Sequence, residues 1–277
     1  MFAGFFNVII DGYYLTKIYV RDIILYNLLY WIKEGAMQFA DIHIHALYGV
    51  DDGAKTKEDM FAIIDAAYAD GTRLICMTPH FYPAMFGRRH KQAKESFRDA
   101  EEYVLEKYPD LTLYMGNELR YAQNCHDWIY DGLCYAMGET RYALIEFSFS
   151  EKSDKIISGL AAMFNSGFRP ILAHAERYHN ISIADLCMLK DDGVLIQVDS
   201  MSILKKFGLK EWFRSKALLK RGAVDFISSD AHDVTSRPPE LSACFEYVKN
   251  KFGEEYAEDL FYKNAKALFD FGSKRKV

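Results

Sequence analysis

From Phe39 onward the chain alternates between short β-rich runs and longer helical patterns, and this alternation constrains the fold more than any other feature. Seven runs read as strands: Phe39–His45, Arg73–Thr78, Leu111–Met115, Ala143–Phe147, Arg169–Ala173, Val194–Val198 and Val224–Ser228. Each is short, rich in Ile, Val, Leu or Phe, and bounded by turn residues. Between them lie helical stretches at Thr56–Asp70, Arg88–Lys107, Ser153–Asn165, Ile183–Asp192 and Leu209–Arg221, and Pro238–Lys251 and Glu254–Phe269 close the series. Thr56 is an N-cap type with Asp59 three positions on. Four of the stretches stop at Gly71, Gly167, Gly193 and Gly222, a residue suited to a left-handed helix end. Parallel neighbours need crossover helices, so the pattern predicts a parallel α/β sheet closed as a distorted seven-stranded (β/α) barrel.

The 277 residues, half of them hydrophobic, are enough for such a core, since one α/β barrel uses about 250 residues. Residues 39–277 therefore read as one domain and residues 1–38 as an N-terminal extension. Within the extension, Ile23–Ile32 is apolar apart from Asn27, but Arg21, Asp22, Lys33 and Glu34 fence it to ten residues. Crossing a bilayer takes about 20, so no stable membrane insertion is expected. No basic segment precedes a clean apolar run, which argues against a signal peptide. The extension is expected to reflect an upstream start codon, with Met37 as the natural first residue. The end, Ser273-Lys-Arg-Lys-Val277, reads as a solvated tail.

Lys plus Arg total 34 against 39 Asp plus Glu, a net charge of -5, which lends no support to a nucleic-acid partner. Cations held in a site would still admit an anionic substrate. The cysteines, Cys76, Cys125, Cys134, Cys187 and Cys244, are odd in number and form no C-x-x-C pair, which points to a reducing, cytoplasmic location. None is followed six positions later by arginine, so a cysteinyl-phosphate route is excluded.

Of the eight histidines, His43, His45, His80, His174 and His232 stand at or just after the C-terminal ends of expected strands, the end that carries the site in barrels. His43 and His45 are two apart on a strand and so project to one face. Carboxylates fall at matching places: Asp52 after the first strand, Glu118 after the third, Glu146 near the end of the fourth, and Asp230 after the seventh. Such a mixed set suits Mn, Fe or Zn, with carboxylates bridging neighbouring ions. Singly, each has a plain explanation. A strand histidine can be a satisfied rim residue, Asp51 or Asp52 can shape an Asp-Gly turn, Asp230 can cap a helix, and Glu118 can pair with Arg120. Glu146, set among Ala, Leu, Ile and Phe, would be buried without a partner. Nine ligand-type residues at strand ends argue together for a metal centre. His90, His126 and His179 carry no such expectation, and Asp41 reads as a strand-end or supporting residue.

The stretches Asp41-Ile-His-Ile-His45, Gly49-Val-Asp-Asp-Gly-Ala-Lys55, Met77-Thr-Pro-His80, Gly116-Asn-Glu118, Leu172-Ala-His-Ala-Glu-Arg-Tyr178, Ser229-Asp-Ala-His232 and Arg237-Pro-Pro239 resemble the PHP (polymerase and histidinol phosphatase) superfamily. More narrowly, the chain is similar to the bacterial tyrosine phosphatases of capsular and exopolysaccharide loci, the CpsB/YwqE type. The resemblance runs from about Phe39 to the loop after the seventh strand. It implies two or three cations, usually manganese, with iron, zinc or magnesium as other occupants. His43, His45, Glu118 and Asp230 would hold the first ion, with Glu118 bridging to a second completed by Glu146 and His174. Asp52, His80 and His232 would bind the third, and Arg177 and Arg237 would hold the substrate phosphate. It further implies a phosphoric monoester hydrolase acting on phosphotyrosine, by attack of a metal-activated hydroxide, with a polysaccharide-assembly tyrosine kinase as partner. Oligomer formation is left open. Two alternatives stand beside this: a PHP phosphoesterase for histidinol phosphate or a nucleotide, and a non-catalytic metal-binding regulatory module. The chain departs from the family pattern at Ala175, where proline is usual, at Val198-Asp-Ser-Met-Ser202, and in the extension.

Overall fold

The computed structural model describes residues 9–10, 13–14, 37–83 and 89–272. By internal contacts the chain divides into residues 1–38 and residues 39–277. In the first unit, Ile9–Ile10 pairs antiparallel with Tyr13–Tyr14. The apolar run Ile23–Ile32 and the basic tail lie outside the described residues.

In the second unit each expected run forms a strand within two residues of its expected bounds, but the second and third are each followed by a further short segment. The strands are β1 (Phe39–Ile44), β2 (Thr72–Met77), β3 (His80–Phe81), β4 (Thr112–Met115), β5 (Glu118–Arg120), β6 (Tyr142–Glu146), β7 (Arg169–Leu172), β8 (Leu195–Asp199) and β9 (Phe226–Ser228). Between β2 and β3 stands Pro79, which has no N–H for a ladder. Its carbonyl instead accepts from the Asn117 side chain at 2.9 Å and from Glu118 N–H at 3.1 Å. The parallel α/β architecture is as expected; the count is not. Instead of one ring of seven strands, the described residues form a three-stranded sheet, β1-β2-β4, and a six-stranded sheet, β9-β8-β7-β6-β5-β3. All pairs in both sheets are parallel. The two sheets meet where β1 ends. Asp230 N–H donates to the His43 carbonyl at 2.9 Å, and His45 N–H to the Ala231 carbonyl at 2.8 Å.

Two apolar layers flank this arrangement. Leu74, Cys76, Leu144, Ile171, Ala173 and Phe226 form one cluster with Ala265, Leu268 and Phe269 near the C-terminus. Ile75 and Met77 form the other, with Met60, Ile63 and Ile64 of α1 (Lys57–Ala69) and Ala100 and Val104 of α2 (His90–Lys107). In β1, Ala40 and Ile42 belong to the first cluster but Ile44 to the second. Alternate residues of a regular strand share a face, so β1 turns over between Ile42 and Ile44. The pairing of β1 with β2 shows the cause, a register shift between Asp41 and Ile44. Such bulges re-aim side chains beside functional sites. Here the interval of the shift includes His43.

The capping box expected at Thr56 and Asp59 is present on α1. The remaining helices are α3 (Cys125–Tyr130), α4 (Ser153–Asn165), α5 (Ile183–Asp191), α6 (Ser200–Ile203), α7 (Leu209–Lys220) and α8 (Ser242–Phe252), followed by α9 (Glu254–Glu258), a π turn at Asp259–Lys263 and α10 (Asn264–Gly272). The helix expected from Pro238 begins instead at Ser242, because its first donors are met from another element. Asp70, at the end of α1, accepts from Leu241 N–H at 2.6 Å and Ser242 N–H at 2.9 Å. Among the described residues, no helix is long and apolar enough to cross a membrane.

Candidate metal centre

The C-terminal ends of the strands carry the expected ligands. His43 lies on β1 and His45 just past it, Asp52 lies in the loop before α1, and His80, Glu118 and Glu146 lie on β3, β5 and β6. His174 follows β7, and Asp230 and His232 follow β9. Three groups have donor atoms close enough to share an ion: His43, His45 and Glu118; His80, Glu118 and Glu146; and His45, Asp52, His80 and His232. In the first, His43 Nε2, His45 Nε2 and Glu118 Oε2 form a triangle with sides of 3.2, 3.3 and 3.3 Å. A regular tetrahedron of that edge has its centre about 2 Å from each corner, the length of a zinc bond to nitrogen or oxygen. Asp230 Oδ1 lies 3.4 and 3.3 Å from the same two nitrogens.

Glu118 joins two groups. Its Oε2 also lies 2.9 Å from His80 Nδ1, and its Oε1 lies 2.8 Å from His174 Nε2. His80 joins two as well, with Nδ1 3.3 Å from Glu146 Oε1 and Nε2 3.5 Å from Asp52 Oδ1. Asp52 Oδ1 is in turn 3.4 Å from His232 Nε2. The distribution differs from the one the resemblance implies in that His45 reaches the third group and His80 the second, while Asp230 and His174 border the groups without belonging to any of the three. Glu146 is not partnerless either: Arg120 Nε lies 3.5 Å from it, so the plain alternative for Glu118, a pairing with Arg120, gives way to one between Arg120 and Glu146. His90, His126 and His179 sit elsewhere, against Tyr135, Asp127 and Glu211.

The electrostatics favour positive charge at this place. Burial alone would pull His43 down, but the Glu118 and Asp230 carboxylates push it up to about 9. Burial likewise opposes His80, which Glu118 raises to about 10. Burial works against ionised Glu118 and Asp230 too, yet the surrounding imidazoles hold both well below the usual carboxylate range. Buried carboxylates persist as anions only when cations neutralise them. Protons on imidazole do so here, and divalent ions between the same atoms fit that role. His174 Nδ1, buried, has no hydrogen-bond partner.

Two of these residues hold an uncommon backbone. His174 has φ 35° and Asp230 has φ 52°, the left-handed region, where a non-glycine residue is strained. Both mark the point where a strand gives way to its loop.

Both expected arginines converge on one carboxylate oxygen. Arg177 Nη1 lies 3.3 Å from Asp230 Oδ2, and Arg237 Nη2 bonds the same atom. Asp230 thus faces the histidines with Oδ1 and the guanidinium groups with Oδ2. Arg237 Nε is buried without an acceptor. The arginines line a cavity of about 390 Å³ together with His80, Glu118, Glu146 and His174.

Sequence reasoning missed two supporting residues. Asp51, treated as a turn former, is buried, and its Oδ2 accepts from His45 Nδ1 at 2.7 Å and from His80 N–H at 2.8 Å. Gln197 Oε1 lies 3.2 Å from His43 Nδ1 and accepts from His174 N–H at 2.6 Å. A glutamine inside the apolar run Leu195-Ile-Gln-Val198 was a legible signal, since a buried amide needs partners. The loop carrying Asp51 also requires Gly53, where a Cβ would stand 2.0 Å from the His45 carbonyl oxygen.

Parallel strands ending in a cluster of imidazoles and carboxylates define a metal-dependent hydrolase of the α/β barrel kind. Residues 39–270 match the family described as capsular polysaccharide synthesis, CpsB/CapC, and the chain belongs to that family. It is 31% identical over 235 residues to the tyrosine-protein phosphatase CpsB of Streptococcus pneumoniae, covering 82% of this chain and 97% of that one. It is 26% identical over 217 residues to the tyrosine-protein phosphatase YwqE of Bacillus subtilis, covering 78% and 85%. Among solved structures, one described with YwqE of Bacillus subtilis and CpsB of Streptococcus pneumoniae as metal-dependent tyrosine phosphatases superposes with a TM-score of 0.76 at 26% identity, covering 83% of this chain and 94% of that one. The phosphotriesterase homology protein of Escherichia coli shares the fold alone, with a TM-score of 0.54 at 13% identity over 84% of this chain and 99% of that one.

Proposed function

We propose that the protein is a metal-dependent phosphotyrosine phosphatase using manganese, and that it acts in the cytoplasm on a polysaccharide-assembly tyrosine kinase. The observation that carries this reading is the gathering of imidazoles, carboxylates and two guanidinium groups around one cavity. The family description, capsular polysaccharide synthesis, and the relatives' naming as tyrosine phosphatases support the substrate class. All five cysteines are free thiols, in keeping with a reducing compartment.

In this reading His43, His45, Glu118 and Asp230 hold one cation, Glu118, Glu146 and His174 a second, and Asp52, His80 and His232 a third. Cations bound there lower the pKa of water and neutralise charge on the phosphoryl group. Arg177 and Arg237 bind the equatorial oxygens, which a planar guanidinium fork matches two at a time. Because Asp230 holds both forks and also faces His43 and His45, the phosphate clamp is registered against the metal ligands. A phenolate leaving group has a conjugate-acid pKa of about 10, so charge on the departing oxygen can be met by cations or arginine without a strong general acid, and none is assigned.

Initial rates on a phosphotyrosine peptide and on histidinol phosphate, with metal-stripped protein and with manganese added back, test the reading. Manganese-dependent release from the peptide is expected. His43→Ala and Asp230→Ala should lower it by roughly 10³-fold with circular dichroism unchanged. Wild-type rates in both variants would overturn the assignment, and turnover of histidinol phosphate alone would move the substrate to a small molecule.

A further inference from the structure

Charge chemistry accounts for most of the cavity's lining, but not for Tyr82 and Phe149, which also face it. Phe149 is 45% exposed at the edge of a site that, Tyr82 apart, is otherwise built from imidazoles, carboxylates and arginines. It lies in the loop after β6, and that loop is fixed. Glu151 N–H donates to the Ser148 carbonyl at 2.8 Å, and the Asn180 side chain ties the Glu151 carbonyl at 3.1 Å to the segment that carries Arg177. The ring sits 4.4 Å from the Arg177 guanidinium and 5.4 Å, between centroids, from the His174 imidazole. It therefore adjoins both the phosphate clamp and the metal ligands, while nearly half of it is left uncovered.

An exposed aromatic ring held beside a phosphate-binding arginine supplies what a charged site lacks, a surface for an apolar group attached to the phosphate. We infer that Phe149 is a specificity residue that packs against the aryl ring of the substrate, so that the site selects aryl over ring-free phosphates. Aromatic pairs favour offset or edge-on contact, the kind Phe149 already makes with His174 and Tyr178, whose rings are tilted to it by 57° and 40°. Arg177, which already faces Asp230 and Asp199 and lies over the Phe207 ring at 5.1 Å, would then hold the phosphate beside Phe149.

This inference rests on the phosphatase reading, and the test separates the two. For the manganese-loaded protein, Phe149→Ala and Phe149→Tyr, kcat/KM on p-nitrophenyl phosphate is measured beside the inhibition constant for inorganic phosphate, which has no ring. Phe149→Ala should lower kcat/KM about 10-fold while phosphate inhibition changes less than about 2-fold, and Phe149→Tyr should restore the rate. An equal weakening of both in Phe149→Ala would show that the ring positions Arg177 and does not contact substrate, which overturns the inference. No change in either would overturn it too. If the unsubstituted protein failed to hydrolyse the ester, the phosphatase reading itself would fall and take the inference with it.

Discussion

Asp51 and Asp52 are neighbours of one residue type, and the site separates them by burial. Asp52 has a side chain 59% exposed and faces His80 and His232, whereas Asp51 is buried behind His45. Burial pushes Asp51 up, but the adjoining His45, and His80 after it, leave it below the ordinary carboxylate range. As an anion it can only accept, which fixes a proton of His45 on Nδ1 and makes Nε2 the nitrogen turned to His43 and Glu118. Replacing such a support typically costs 10–100-fold in metal affinity. Asp51→Asn should therefore raise the manganese concentration for half-maximal rate by about 10–100-fold, read from a metal titration of the stripped protein. An unchanged titration would reduce Asp51 to a turn former. At this scale the gathering of the nine candidate ligands at the strand ends was legible, because strand-end histidines and a carboxylate in an apolar run are visible as text. The split between Asp51 and Asp52 was not. It depends on how the loop folds back, with Ala54 N–H on the His45 carbonyl at 3.1 Å, and adjacent identical residues give no sign of it.

Elements were legible wherever local pattern decides them, and illegible where a distant partner does. Ser153–Asn165 forms as expected because its period and its ends are local. The start of α8 was misplaced at Pro238 because its cap comes from Asp70, 172 residues away from Ser242. The breaks at Thr78-Pro79 and Gly116-Asn117 belong to the same class, since each depends on the other across the sheet, with the Asn117 side chain on the Pro79 carbonyl. The register shift in β1 is a further case: an H-x-H run reads as a regular strand, yet Ile42 and Ile44 pack in different layers. Asp70 offers the cleanest measurement of such a remote contact. Loss of a capping carboxylate costs about 0.5–2 kcal/mol, and this one serves two backbone donors and the Ser242 hydroxyl. Asp70→Ala should lower unfolding free energy by about 1–2 kcal/mol in urea, while the manganese dependence of the rate stays as in the parent. A loss of metal response without a loss of stability would mean that the α1–α8 junction communicates with the site in some other way.

At the scale of residues 39–277, the candidate ligands and the groups beside them join distant parts of the sequence. Asp41, beside His43, accepts from Ser229 N–H at 3.2 Å across 188 residues of sequence, and the groups in between are supplied by β3, β5, β6 and the loop after β7. In the unfolded chain these donors are far apart, so cations that bind the assembled site bind the folded state selectively. Stabilisation then follows from mass action: about 2.7 kcal/mol for a site at a hundredfold excess of ligand over Kd. For a domain of this size about 1 kcal/mol moves the melting temperature by 2–4 °C, so manganese should raise Tm by about 5–10 °C over chelator-treated protein. The gain should be larger if several ions bind. It should shrink in Asp51→Asn, whose weakened affinity needs more metal for the same occupancy, and also in His43→Ala, which removes a ligand of one cation. It should persist in Phe149→Ala, which touches no candidate ligand through hydrogen bonds. That pattern across three variants separates a cation held by the strand ends from one bound loosely to the acidic surface. A surface effect would raise Tm alike in all of them, and equal shifts in the parent and His43→Ala would remove the metal centre from the account of this fold.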